Sequence, residues 1–174
     1  MSPQVPDETP LEAPELLGWY AQRPLDGEIW QAIFVALASP SEAAQRNAAF
    51  LLRKAASDQA LPEELTLQLS GALANVQEFK ARLYLCQAVA SHFDALHPEP
   101  DAAAAFLRNA RESSDPPTRA WAITATVELA RRHPKFQLEA FGATRIGARD
   151  PVKLVRDRIA KLDASPKRGS SRTS

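Results

Sequence analysis

The residue types that could do metal, nucleophilic or acid–base chemistry are few in this sequence and poorly placed. The three histidines are His92, His97 and His133, and the single cysteine is Cys86. No H-x-x-x-H pair exists to put two imidazoles on one metal ion, and no histidine is placed to activate Cys86 as a nucleophile. Phosphate-binding loops and dinucleotide fingerprints are also missing. We therefore predict a non-enzyme with no catalytic residues, no metal site and no cofactor.

Structural roles explain these residues better than chemistry does. Cys86 falls at an inward helical position and reads as a small buried hydrophobe. His92 also tends inward, as a satisfied core histidine does. His133 follows two arginines at the end of a predicted helix, where a cation suits the helix dipole. The acidic pair Glu63 and Glu64 opens another helix, where negative charge is favourable for the same reason.

The length and composition of the chain are those of one ordinary domain. The chain has 174 residues, a hydrophobic share of 45% and a net charge of zero from 21 basic and 21 acidic side chains. One cysteine excludes an internal disulfide and fits a reducing compartment. The N-terminus is acidic and proline-rich, unlike a signal peptide, and no apolar run approaches the ~20 residues of a membrane span. We expect a cytoplasmic protein that does not enter a membrane.

A long helix over residues 113–133 is the element around which the chain repeats. Its Arg119 belongs to a series with Arg46, Arg82 and Arg156, at separations of 36, 37 and 37 residues. A fixed period in this range is typical of helical repeats. An apolar series precedes three of the arginines by 17, 13 and 9 residues: Ile29, Ile33 and Leu37; Leu65, Leu69 and Leu73; Ala102, Phe106 and Ala110.

Each repeat is predicted to be a pair of helices, and strand signals are nearly absent. The pairs are residues 28–38 with 41–57, 62–74 with 76–96, 100–112 with 115–133, and 135–146 with 151–163. The predicted fold class is all-α, a short right-handed α-α solenoid of about four helix pairs with an N-terminal capping helix. Its parts are a flexible leader (1–14), the capping helix (15–25), the repeats (26–163) and a disordered basic tail (164–174). An alanine-rich bundle with arginines in period by chance is the alternative.

The segment Asp150-Pro151-Val152-Lys153-Leu154-Val155-Arg156, followed by Ile159, resembles a HEAT repeat. The resemblance covers residues 26–163. It implies that the Asp and the Arg pair between neighbouring repeats and hold the stack together. A structural ladder would then consist of Arg46, Arg82, Arg119, Asp150 and Arg156. The resemblance also implies that the second helices of the pairs line a concave, ligand-binding side.

Helical geometry puts the residues two and five positions after each arginine on the face opposite to it. This face supplies the predicted partner-binding residues Tyr84, Gln87, Trp121, Thr124, Arg158 and Lys161. Exposed Tyr, Trp and Arg side chains are typical of binding hot spots. We expect a scaffold or adaptor that binds a protein partner there. The oligomeric state stays open, since an acidic N-terminus and a basic C-terminus would also allow head-to-tail stacking.

A nucleic-acid partner is the alternative hypothesis. Residues 145–174 contain nine Lys and Arg against three Asp. Contacts of such cations to phosphates release counterions, and Trp121 or Tyr84 could stack on a base. Some HEAT-like proteins of alkylation repair bind DNA in this way. A bilin lyase or chaperone of the HEAT-like type is a third hypothesis, based on fold alone.

Overall fold

A computed structural model describes residues 3–164, with side chains to residue 162, and confirms the all-α prediction. It holds helices α1 (Ala13–Ala21), α2 (Gly27–Leu37), α3 (Glu42–Asp58), α4 (Thr66–Asn75), α5 (Phe79–Leu96), α6 (Pro100–Arg111), α7 (Pro116–Arg132), α8 (Gln137–Gly147) and α9 (Lys153–Ala164). Short 3-10 turns, Glu63–Leu65 and Pro134–Phe136, precede α4 and α8. No strand occurs in this part of the chain. Each predicted helix corresponds to an observed one.

Five of the helices begin where a polar side chain caps them. In each of these helices a side-chain carboxylate or hydroxyl oxygen accepts hydrogen bonds from backbone N–H groups of the first turn. The accepting residues are Asp26, Ser41, Glu78, Glu99 and Asp115. Such a cap satisfies amides that have no partner within the helix. Prolines occupy the first positions of α6 and α7. They are tolerated there because a first-turn N–H group has no partner within the helix, so its absence removes no helical hydrogen bond.

The helices alternate between two rows. The odd-numbered helices form one row in which α1 packs on α3, α3 on α5, α5 on α7, and α7 on α9. In the other row α2 packs on α4 and α4 on α6, while α8 packs on α7 and α9. Buried alanines such as Ala48, Ala88 and Ala125 lie along the odd-numbered row. Their small side chains let neighbouring backbones approach closely. The helix that was predicted as a cap corresponds to α1, which packs on α3 at the first end of this row.

The buried core is continuous through most of the molecule and has a second, smaller cluster at the C-terminal end. The main core centres on large buried side chains such as Trp30, Leu52 and Leu85. In the small cluster Ile123 of α7 meets Val155 and Ile159 of α9. Burial of such apolar surface contributes about 25 cal/mol per Å² to folding.

The N-terminal leader, which was predicted to be a flexible segment, makes hydrogen bonds to α3. Asn47 of α3 is fully buried, and its side-chain amide donates to the carbonyl oxygens of Pro6 and Thr9, both at 3.0 Å. Its carbonyl oxygen accepts the backbone N–H of Leu11 at 3.0 Å. Val5 is buried as well. The leader is therefore attached along α3. The predicted tail lies outside the described residues except for Ala164.

Three of the four periodic arginines share one structural role. Each guanidinium donates to the backbone carbonyl oxygen six residues before it, in the loop that leads into its own helix. Arg82 donates to Val76 at 3.2 Å, Arg119 to Ser113 at 2.8 Å, and Arg156 to Asp150 at 2.6 Å. Arg119 also forms an ion pair with Asp150 of the next helix pair at 3.0 Å. The arginines thus hold loops against helices.

The first member of this series is Gln45, not Arg46. The Gln45 amide donates to the carbonyl oxygen of Ser39, again six residues upstream, at 2.9 Å. Its side-chain oxygen accepts the backbone N–H groups of Gln77 and Glu78, both at 3.0 Å, in the next loop. Arg46 instead lies 3.8 Å from the carboxylate of Glu12. Counted from Gln45, the spacing is 37 residues at every step.

Candidate partner-binding groove

The corrected register changes which α3 residues share a face with the predicted binding residues. Counting from Arg46 put Ala48 and Leu51 on the outer face, but both are fully buried. Counting from Gln45 puts Asn47 and Phe50 there instead. Asn47 is covered by the leader, whereas Phe50 borders an open groove.

This groove, which we call the second-helix groove, crosses the row of odd-numbered helices and has a volume of about 430 Å³. Its lining comes from α1, α3, α5 and α7: Leu17; Phe50, Arg53, Lys54 and Ser57; Gln87, Ser91 and His92; and Trp121. Two of the predicted binding residues, Gln87 and Trp121, are among them. The groove combines an apolar floor with cationic and hydrogen-bonding side chains.

Side chains of α3 and α5 meet in pairs that are 34 residues apart. The rings of Phe50 and Tyr84 pack edge to face, with centroids 5.6 Å apart. The guanidinium of Arg53 donates to the side-chain oxygen of Gln87. Its Cζ atom also lies 5.4 Å from the centroid of Phe50 and 5.3 Å from that of Tyr84. Tyr84 is therefore half-buried between helices, and it holds Arg53 in place.

A second stacked guanidinium lies between α7 and α9. The Cζ atom of Arg158 is 3.3 Å from the centroid of the Trp121 ring, and its Nε donates to the hydroxyl of Thr124 at 3.1 Å. Thr124 is 5% exposed, and its hydroxyl donates to the carbonyl oxygen of Ala120 at 2.9 Å. Thr124 was predicted to contact a partner, and its burial corrects that prediction: it positions Arg158 instead. Burial lowers the pKa of Arg158.

Two other cations of α9 make contacts within the molecule. Arg156 donates to backbone carbonyl oxygens, and Lys153 forms an ion pair with Asp157 at 2.5 Å. Lys161, another predicted binding residue, is exposed. The structure therefore brings Tyr84, Gln87, Trp121 and Arg158 to the groove or to its edge, while Lys161 lies on the last helix.

The charge balance of the groove is positive. Lys54 is neutralised by Asp58 at 2.6 Å, a carboxylate that also accepts the hydroxyl of Tyr20 at 3.0 Å. The hydrogen bond from Lys54 lowers the pKa of Asp58, and burial raises the pKa of Tyr20. Within residues 3–162 no carboxylate forms an ion pair with Arg53 or Arg158. Neither half-buried guanidinium group is therefore compensated by a carboxylate of residues 3–162.

His92 lines the groove at a local break in α5. Its backbone angles (φ −130°, ψ 33°) are not helical, although the helix continues on both sides. Burial and the charge of Arg53 lower the pKa of His92, so its neutral form is favoured. Cys86 is fully buried, and burial raises the pKa of its thiol, which disfavours the nucleophilic thiolate. No group of three or more His, Cys, Asp or Glu side chains converges within the described part of the chain.

Sequence reasoning missed the α3 and α1 walls of the groove, above all Arg53. The signal that could have found Arg53 is its separation of 34 residues from Gln87, three residues less than the 37-residue repeat. Adjacent helices in the row make contact at this shorter offset, as Phe50 with Tyr84 and Thr124 with Arg158 also show.

No helix within residues 3–164 combines the length and the hydropathy needed to cross a membrane. In comparisons with known proteins, no family model, no curated protein and no solved structure matches this chain.

Proposed function

We propose that this protein is a non-catalytic, HEAT-like repeat scaffold or adaptor that binds a protein partner through the face of its second helices. The 37-residue spacing of Gln45, Arg82, Arg119 and Arg156, with a shared contact to the preceding loop, supports a repeat origin. The stacking of α3, α5, α7 and α9 supports it as well. Stacked helix pairs build extended surfaces of the kind that such proteins use for binding.

The second-helix groove is the observation on which this proposal depends. It is open along four helices and lined by Phe50 and Trp121 together with Arg53 and Gln87. Aromatic and arginine side chains are enriched at the energetic centres of protein interfaces. Half-buried side chains that are already fixed by their neighbours also lose little conformational entropy on binding.

The nucleic-acid alternative receives less support from the described residues. It relied on the basic C-terminal helix and tail, but Arg156 and Arg158 make internal contacts and Lys153 is paired with Asp157. Acidic residues also neutralise cations near the groove, as Asp58 does for Lys54. Binding to a phosphate backbone is favoured by clustered Lys and Arg side chains that are available to contact phosphates.

Site-specific photo-crosslinking tests the proposed face. We expect Ser91→p-benzoylphenylalanine, an exposed groove position, to crosslink one or a few proteins in extract of the source cell. The matched control is Leu67→p-benzoylphenylalanine on α4, since Leu67 is 80% exposed and lies in the other row. Equal crosslinking from both positions would contradict a specific second-helix face.

A further inference from the structure

We infer that the second-helix groove recognises an acidic segment of a partner protein, with Arg53 as the residue that binds a partner carboxylate. This inference rests on the proposed function and specifies its partner. Arg53 combines a fixed position, an uncompensated charge and access to the groove. No other lining residue combines these three properties.

The guanidinium of Arg53 has N–H donors that are available to a ligand. A guanidinium carries five N–H donors in a planar fork that matches a carboxylate with two parallel hydrogen bonds. In this structure one hydrogen bond of Arg53 goes to the neutral oxygen of Gln87, and no carboxylate within residues 3–162 pairs with it. Phe50 and Tyr84 hold the guanidinium by their rings. The group is thus prepared for a carboxylate, and a lysine would not replace it because its ammonium lacks the fork.

The apolar lining adds a second requirement for the partner. Leu17, Phe50 and Trp121 supply nonpolar surface beside Arg53, and Ser57 and Ser91 supply hydrogen-bonding groups. Arg158, stacked on Trp121, adds a second charge that no carboxylate of the described residues pairs with. The groove therefore fits a segment that carries one apolar side chain between acidic residues.

The same features favour a peptide over a nucleic acid. Two cations of the second helices are neutralised: Lys54, which lines the groove, by Asp58, and Arg132, at the C-terminal end of α7, by Asp94 and Glu128. A polyphosphate chain that followed the second helices would meet these carboxylates. One or two carboxylates placed at Arg53 would not.

Selection from a displayed library of random 12-residue peptides, with the folded full chain as bait, tests the inference. We expect the enriched peptides to contain an excess of Asp and Glu and at least one large apolar residue. Fluorescence anisotropy of the synthesised peptides should then show Kd values roughly 10- to 100-fold higher for Arg53→Gln, as expected when a charge-assisted hydrogen-bond pair is lost. Arg53→Lys should restore less than half of the binding free energy that is lost in Arg53→Gln.

The control is Arg145→Gln, which also removes a guanidinium stacked near an aromatic ring, Phe141, but lies on α8 away from the groove. This variant should bind like the wild type. Ser91→Tyr fills the groove without removing a charge and should weaken binding as well. Thermal unfolding followed by circular dichroism shows that each variant is folded.

The outcomes separate the inference from the function on which it rests. The selected peptides could lack acidic residues and bind more weakly to Ser91→Tyr but not to Arg53→Gln. This result would overturn acidic recognition and leave the second-helix face as a binding site. Peptides insensitive to both substitutions, or no enrichment at all, would overturn both. Single-stranded oligonucleotides that bind more tightly than the selected peptides, with dependence on Arg53, would replace the peptide by a nucleic acid.

Discussion

Arg119 and Asp150 join two neighbouring helix pairs through two parallel hydrogen bonds, Nε to Oδ2 and Nη2 to Oδ1, both 3.0 Å long. The residues are 31 positions apart, and their side chains are only 17% and 10% exposed. Arg119 also donates to the carbonyl oxygen of Ser113, while Asp150 accepts the backbone N–H of Val152. One ion pair thus links the loop before α7, the body of α7 and the start of α9.

We expect Asp150→Asn to destabilise the protein by about 1–3 kcal/mol, because a charged hydrogen-bond pair is lost while the shape is kept. Urea denaturation at pH 7 measures this change. Asp157→Asn is the control, since Asp157 makes an exposed ion pair with Lys153 and such pairs contribute little. If the two substitutions have equal effects, the Arg119–Asp150 pair does not contribute specially to stability.

The same pair predicts a pH dependence. The hydrogen bond from Arg119 lowers the pKa of Asp150 below its unfolded value of about 3.9. A lowered folded-state pKa means that the stabilisation is present above pH 4 and is lost as the pH falls through the folded pKa. The stability difference between wild type and Asp150→Asn should therefore be constant from pH 7 to pH 5 and shrink below pH 4. A difference that persists in acid would contradict this assignment.

The helices could be predicted from the sequence because their limits are marked locally. Prolines, Asp26, Ser41 and Asp115 stand where helices begin, and apolar residues recur with helical spacing between them. The register of the first repeat could not be predicted in this way. Gln45 and Arg46 are adjacent polar residues, and both can donate to a carbonyl. Their sequence does not tell which one faces the preceding loop.

Two other features that the sequence did not indicate have long-range causes. The leader was predicted to be flexible from its prolines, but its carbonyl oxygens are bound by Asn47, which is 38 and 41 residues away. Thr124 was predicted to be exposed from the helix face alone. Its hydroxyl is satisfied by Ala120 and Arg158, which makes burial of a polar group inexpensive. Neither contact is visible to local periodicity.

Two glycines of α8 should respond oppositely to alanine. A Cβ atom at Gly147 would lie 2.7 Å from Cδ1 of Ile123 and 2.9 Å from Cγ1 of Ile159, both in the small buried cluster. Gly147→Ala should therefore destabilise the protein by about 1–3 kcal/mol through overpacking. At Gly142 such a Cβ would meet no atom within 4 Å beyond its chain neighbours and the backbone of its own helix, so Gly142→Ala should stabilise the helix by up to about 1 kcal/mol. Thermal unfolding measures both; shifts of the same sign would contradict the packing described here.

The leader contact gives a further prediction. Asn47→Ala removes three buried hydrogen bonds, so it should cost about 2 kcal/mol or more and should speed amide exchange at Leu11, whose N–H is bound by Asn47. Hydrogen exchange by NMR measures the local effect and urea denaturation the global one. Asn75→Ala is the control, since Asn75 is exposed and donates within its own helix to Gly71. Unchanged exchange at Leu11 would show that Asn47 does not hold the leader.

His92 reports on the charge of the groove. Burial and, second, the charge of Arg53 lower its pKa, so the folded state binds a proton less readily than the unfolded state does. Protonation below pH 6.5 should therefore reduce stability as the pH falls towards 5, and His92→Gln should flatten this dependence. Histidine NMR titration should show the pKa of His92 rising in Arg53→Gln, because the repulsive charge is removed.

Arg145→Gln is the control for this titration, because Arg145 lies on α8 beside Phe141 rather than beside His92. If the pKa of His92 responds equally to both substitutions, the two side chains do not share an electrostatic environment. If it responds to Arg53→Gln alone, a bound carboxylate should act in the same direction, since it neutralises the same guanidinium. The pKa of His92 would then rise on addition of an acidic peptide, which makes this residue a direct probe of groove occupancy.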